Sequence, residues 1–128
     1  MSEYDVAKPL PAAEWLALDE AERIALVKAS HARTNSRVGE SPDAHAMIHV
    51  MVENRLAEGE AAVVRAYERF VTAGIGRHVT VHALSSVVAQ QMMAMLREGA
   101  VFSQAQSDAD FEALDPAKFR RAAAKDQP

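Results

Sequence analysis

The sequence predicts an all-α protein, a compact bundle of about four main helices with a short C-terminal helix. Three observations lead there. Apolar residues recur at helical spacing in four long segments. No stretch alternates apolar and polar residues as a half-buried strand would. Clusters of Gly, Pro, Ser and Asn separate the segments. At 128 residues the chain suits one domain with a single core. We expect a flexible lead-in over 1–10, a helical-bundle domain over 11–121 and a flexible tail over 122–128.

Each element has a local reason. Pro9 and Pro11 set up a short helix from Ala12 to Leu18 that carries Trp15, Leu16 and Leu18. Asp19 and Glu22 have capping-box spacing and open a helix from Glu20 to about Ala32, with Ile24, Val27 and His31 on one stripe. Residues 34–43 hold Thr34-Asn35-Ser36, Gly39 and Ser41-Pro42, and read as the main linker. Ser41 as N-cap and Pro42 at the first helical position start the next helix, which runs to about Glu58 and stops at Gly59. From Glu60 to about Ala73, Val63, Val64, Tyr67, Phe70 and Val71 keep helical spacing until Gly74-Ile75-Gly76 breaks it. The longest helix is expected from Arg77 to Arg97, ending at Gly99. Beyond Ser103 the chain reads as a polar tail with Phe111 and Leu114 as anchors. Asp115-Pro116 then opens a short helix through Phe119.

A net charge of -4 gives no electrostatic footprint for nucleic acid, and no basic amphipathic stretch points to a membrane surface. Neither a signal-peptide pattern nor an apolar run of membrane-spanning length is present, so a cytoplasmic protein is expected. With no cysteine, a bound metal must take imidazole and oxygen ligands.

The chemistry-bearing feature is a pair of histidine pairs. Four of the five histidines form His45-x-x-x-His49, continued by Glu53, and His78-x-x-x-His82. Two such pairs arise by chance roughly once in a hundred sequences of this composition. On a helix, residues i and i+4 stack on one face, so each pair is a bidentate imidazole clamp. His45 and His49 fall among Ile48, Val52 and Leu56, and His78 and His82 share a stripe with Ser85, Ala89, Met92 and Leu96. If consecutive helices pack antiparallel, the two clamp-bearing helices run parallel, with His45 level with His78 and His49 level with His82. The predicted ligands are His45, His49, Glu53, His78 and His82, with His31 as a further candidate. The metal would be a divalent ion such as zinc, iron, nickel or manganese. Glu53 is either an oxygen ligand or a general base over a bound water, or else a partly exposed surface glutamate paired with Arg77 or Arg55. Arg77 either holds Glu53 or an anionic ligand or occupies a solvated helix end, and the solvated end is the preferred reading. An open coordination position would suit metal-assisted hydrolysis, a redox step or a lyase reaction on a small molecule.

Competing readings use the same residues. The histidines can be structural, joined in a metal-free His/Glu hydrogen-bond network. Clustered imidazoles can also sense pH. The chain can be a helical interaction module or homodimer packed through Met47, Met51, Met92, Met93 and Met95. Glu58, Glu60, Arg65, Glu68 and Arg69 read as a solvated helix face. No Ser/His/Asp spacing, phosphate loop or dinucleotide fingerprint occurs.

The run His45 to Glu53, followed by Arg77-His78-x-x-x-His82-Ala83-Leu84, resembles a small bacterial family of helical domains of unknown function. That resemblance covers about residues 40–100 and implies a helical domain with a shared histidine site, without an assigned activity. More loosely, His31, His49-x-x-x-Glu53 and His78-x-x-x-His82 are similar to the ligand order of haemerythrin-type di-iron bundles. Here a whole helix separates Glu53 from His78, and no histidine follows His82 to supply the family's last ligand pair. A mononuclear site is therefore preferred.

Overall fold

The protein is described from a computed structural model that covers Asp5, Lys8 and residues 10–34 and 42–121, without the side chains of residues 31–34 and 42. The expected tail lies outside the described residues, as do most of the expected lead-in, most of the linker and the His31 side chain. The described chain is all-α. Its helices are α1 (Ala12–Ala17), α2 (Glu20–Thr34), α3 (Pro42–Ala57), α4 (Ala61–Thr72), α5 (Arg77–Glu98) and α6 (Gln104–Glu112), followed by a 3-10 turn at Pro116–Phe119. Apart from an isolated bridge between Asp5 and Lys8, no extended pairing occurs among the described residues.

Helix starts and stops follow the local chemistry. Glu22 N–H donates to Asp19 Oδ1 at 2.8 Å and Asp19 N–H to Glu22 Oε1 at 3.3 Å, a capping box with Asp in the Ser/Thr position. At the end of α3, Gly59 takes φ 73°, and the amides of Gly59 and Glu60 return to the carbonyls of Leu56 and Arg55. The same double closure recurs at Gly74, φ 81°, where the amides of Gly74 and Ile75 return to Val71 and Phe70. Both are Schellman motifs, which place a left-handed residue just past the helix and favour glycine there. Ile75 then packs on Phe70, Val79 and Ala83 in a small satellite core, where the rings of Phe70 and Phe119 lie 5.5 Å apart.

The main core draws on every helix. Trp15, Val27, Val50, Val52, Val63, Leu84, Val88 and Phe111 are buried in one cluster. A polar joint holds the first two helices on α3. Trp15 Nε1 and Arg23 Nη1 both donate to Asn54 Oδ1, at 2.9 and 2.8 Å, while Arg23 Nε and Nη2 donate to the carbonyls of Leu18 and Leu16.

Residues 104–112, expected as polar tail, form helix α6. Its N-cap is Ser103, whose hydroxyl accepts from Gln106 N–H at 3.2 Å. Phe111 is its fully buried anchor. The arginines of α4, expected to face solvent, hold α6 in place. Arg65 forms a double contact with Glu112 Oε1, and Arg69 Nη2 donates to the carbonyls of Phe111 and Leu114 at 2.7 and 3.2 Å. A cation over the carbonyl end of a helix is favourable. Arg69→Ala is expected to cost about 1–2 kcal/mol, since it strands carbonyl acceptors that a charged donor satisfied. Hydrogen exchange should show the loss concentrated in residues 104–119, whereas uniform loss across the protein would contradict a local clamp.

The expected parallel alignment of the clamp-bearing helices is not what the structure shows. α3 and α5 meet in opposite senses, with residue 77 against residue 53 and residue 82 against residues 45 and 49. The reason is α4, which packs chiefly on α5 and α6 and only lightly on α3. Consecutive helices therefore do not alternate in a simple up-and-down order.

The expectation that no run reaches membrane-spanning length is corrected for α5, the one described helix long and apolar enough to cross a membrane; 44% of its most apolar window is buried inside the protein, a property shared by core helices of soluble proteins.

Candidate metal centre

Three of the predicted ligands converge. His45 and His49 lie one turn apart on α3, and their ring centroids are 4.6 Å from one another. From α5, His82 enters between them, 5.3 Å from the His45 ring and 5.0 Å from the His49 ring. One ring nitrogen from each lies within 4.8 Å of the other two. His49 is fully buried, flanked on α3 by the buried Ala46, Val50 and Glu53. Its two ring nitrogens and Nε2 of His45 are shielded from solvent.

That geometry is close to what a tetrahedral metal asks for. With His–metal bonds of about 2.0–2.1 Å, ligand nitrogens stand about 3.3 Å apart. Closing from 4.8 Å needs about 1.5 Å, which small side-chain rotations within the rotamer wells supply. Three imidazoles from two packed helices would supply three nitrogen ligands to such an ion, one fewer than a tetrahedral site takes. This histidine cluster could hold a metal ion.

The other predicted ligands are placed differently. The ring of His78 lies edge-on to that of His82 at 4.9 Å, so it extends the cluster beside His82 while the converging set remains His45, His49 and His82. Glu53 lies one turn beyond His49, and its carboxylate is gripped by Arg77, Nη1 to Oε2 and Nη2 to Oε1, both at 2.7 Å. The side chains of Arg77 and Glu53 are only 11% and 6% exposed. Arg77 also donates from Nε to the Tyr67 hydroxyl at 3.1 Å and lies over that ring. The expectation of a solvated Arg77 is thus corrected: the residue bridges α3, α4 and α5. The opposite senses of α3 and α5 explain this, because they bring the start of α5 to the far end of α3, beside Glu53, Leu56 and Trp15 around a cavity of about 140 Å³.

A wider groove of about 510 Å³ runs between the second half of α5, residues 100–103 and α6, and shares no lining residue with the histidines. Its size suits a small molecule, yet the clustered imidazoles lie elsewhere, so volume alone does not mark the site.

No family model, curated protein or solved structure matches the chain.

Two features of this region depend on tertiary packing. Arg77 was legible as a candidate partner of Glu53, but only the antiparallel packing makes the pair buried and bidentate. Ser85 read merely as a member of the stripe that carries His78 and His82. In the structure it is buried, one turn beyond His82.

Proposed function

We propose that the protein is a metal-binding helical protein, with His45, His49 and His82 as nitrogen ligands to one divalent ion. The observation that carries this reading is the convergence of three imidazole nitrogens within 4.8 Å from two different helices. Zinc, iron, nickel and manganese all accept such ligands, with zinc favoured by the all-imidazole set. In this reading His78 supports His82 from the outer shell, and Glu53 and Arg77 form a strut that fixes α3 against α5. Open coordination positions would allow metal-assisted chemistry on a small molecule, in keeping with an enzyme or a binding protein. We place the protein in the cytoplasm; the partial burial of α5 within the fold supports a soluble protein.

The test is metal content. A chain purified without a histidine tag and reconstituted with each of the four metals in turn should retain about one equivalent of at least one of them. Thermal unfolding should shift upward with free metal, by about 2.7 kcal/mol at a hundredfold excess over Kd. No retention of any of the four would overturn the reading.

A second reading, self-association, is favoured by a separate observation. Past Val88, α5 holds no buried residue, and Met93, Met95, Leu96, Val101 and Phe102 are exposed, Leu96 at 78% and Val101 at 90%. Such a patch is of the kind that mediates contact between copies. Light scattering should then report a dimer that Leu96→Glu converts to monomer. A wild-type monomer at high micromolar concentration would rule it out.

A further inference from the structure

We infer that Ser85 is a hydrogen-bond donor to a small anion bound beside the three imidazoles, a carboxylate or an inorganic oxyanion. The inference rests on the metal-binding reading and assigns the ligand class of the same site.

Ser85 Oγ is buried and has no hydrogen-bond partner, and the residue is only 6% exposed. A buried helical hydroxyl normally turns back to a carbonyl three or four residues earlier. Its neighbours on α5 do so: Thr80 Oγ1 donates to Gly76 O at 2.9 Å and Ser86 Oγ to Ala83 O at 2.7 Å. Ser85 does not, although the same helix offers it the same choice. An unsatisfied buried hydroxyl is a liability that needs an explanation.

Position supplies one. Ser85 follows His82 by three residues, which puts their Cβ atoms about 5–6 Å apart on neighbouring positions of one helix face. A donor there can reach a ligand atom seated at the position that three imidazoles leave open. Charge selects the ligand class. Three neutral imidazoles around a divalent ion leave a double positive charge beside the fully buried His49 and the half-buried His45 and His82, and a charge withdrawn from water favours a counterion. Glu53, the carboxylate one turn from His49 on α3, is held by Arg77. An exogenous anion would provide the missing negative charge and accept the Ser85 proton in a charge-assisted hydrogen bond.

The experiment uses the full chain loaded with cobalt(II), whose visible absorption reports changes in its ligands. Metal content is measured first, so failure to bind cobalt overturns the metal reading by itself, and this inference with it. Acetate and inorganic phosphate are then titrated separately. The wild-type protein should give a saturable spectral change with at least one of them; acetate alone identifies a carboxylate site and phosphate alone an oxyanion site. Ser85→Ala should weaken that anion about tenfold, equivalent to about 1.4 kcal/mol, while metal affinity stays within about twofold and the melting temperature of the metal-free protein holds or rises. Ser85→Thr, which keeps the hydroxyl, should restore anion binding. Unchanged anion affinity in Ser85→Ala, no spectral response to either anion, or a lowered melting temperature in metal-free Ser85→Ala would each overturn the inference.

Discussion

His49→Ala and His82→Ala are each expected to abolish metal retention. Each removes one of three convergent nitrogens and leaves two, too few to close a site against water. Outer-shell changes around metals typically cost 10–100-fold in affinity, so loss of a direct ligand should exceed about 100-fold. His78 provides the internal comparison. Its ring touches that of His82 but lies outside the converging set, so His78→Ala should fall within the 10–100-fold range. Competition titration with a chromophoric chelator resolves these cases. Equal losses for His78→Ala and His82→Ala would make His78 a direct ligand. Full retention in His49→Ala would remove the buried centre of the site. Because His49 is fully buried, the variant's folding needs checking by circular dichroism, and His49→Gln, closer in volume, is the companion variant.

Breaking the Glu53–Arg77 pair is expected to have the largest effect on stability. Both side chains are almost entirely buried and meet in a bidentate contact at 2.7 Å. Removing one partner strands a buried charge, which typically costs 3–5 kcal/mol. For a domain of this size that is a fall in melting temperature of roughly 10–25 °C. Arg77→Ala should be the worse choice, since it also releases the Tyr67 hydroxyl and the packing of the guanidinium on that ring. Replacing both together, as Glu53→Leu with Arg77→Met, should cost far less than the sum of the single changes, because no charge is left behind. Chemical denaturation of the four species gives the coupling directly. A single-variant loss below about 1 kcal/mol would mean that the pair behaves as a surface salt bridge.

The fold was largely legible in the sequence because its signals are local. Proline and glycine punctuation, the Asp19/Glu22 capping box and 3.6-residue periodicity place the starts and stops of α1 to α5 within about two residues. Helix α6 escaped because its apolar content is slight: Phe111 is its one large buried side chain, and what pins it are Arg65 and Arg69, remote in sequence. The histidines were legible for the same local reason, since i,i+4 spacing is a property of one helix. What local pattern could not supply was the sense in which α3 and α5 cross. That depends on how α4 leaves Gly59 and where it packs. The crossing decides that His82, and not His78, reaches between His45 and His49, and that Arg77 takes Glu53. Ser85 became informative only once its burial and its missing partner were visible.

Anomalous diffraction at the zinc edge, on crystals of the zinc-loaded protein grown without a histidine tag, tests the metal centre most directly. The expected result is one strong peak between α3 and α5, about 2.0–2.1 Å from a ring nitrogen of each of His45, His49 and His82. A zinc peak elsewhere, or none with the three imidazoles hydrogen-bonded to protein groups instead, would contradict it.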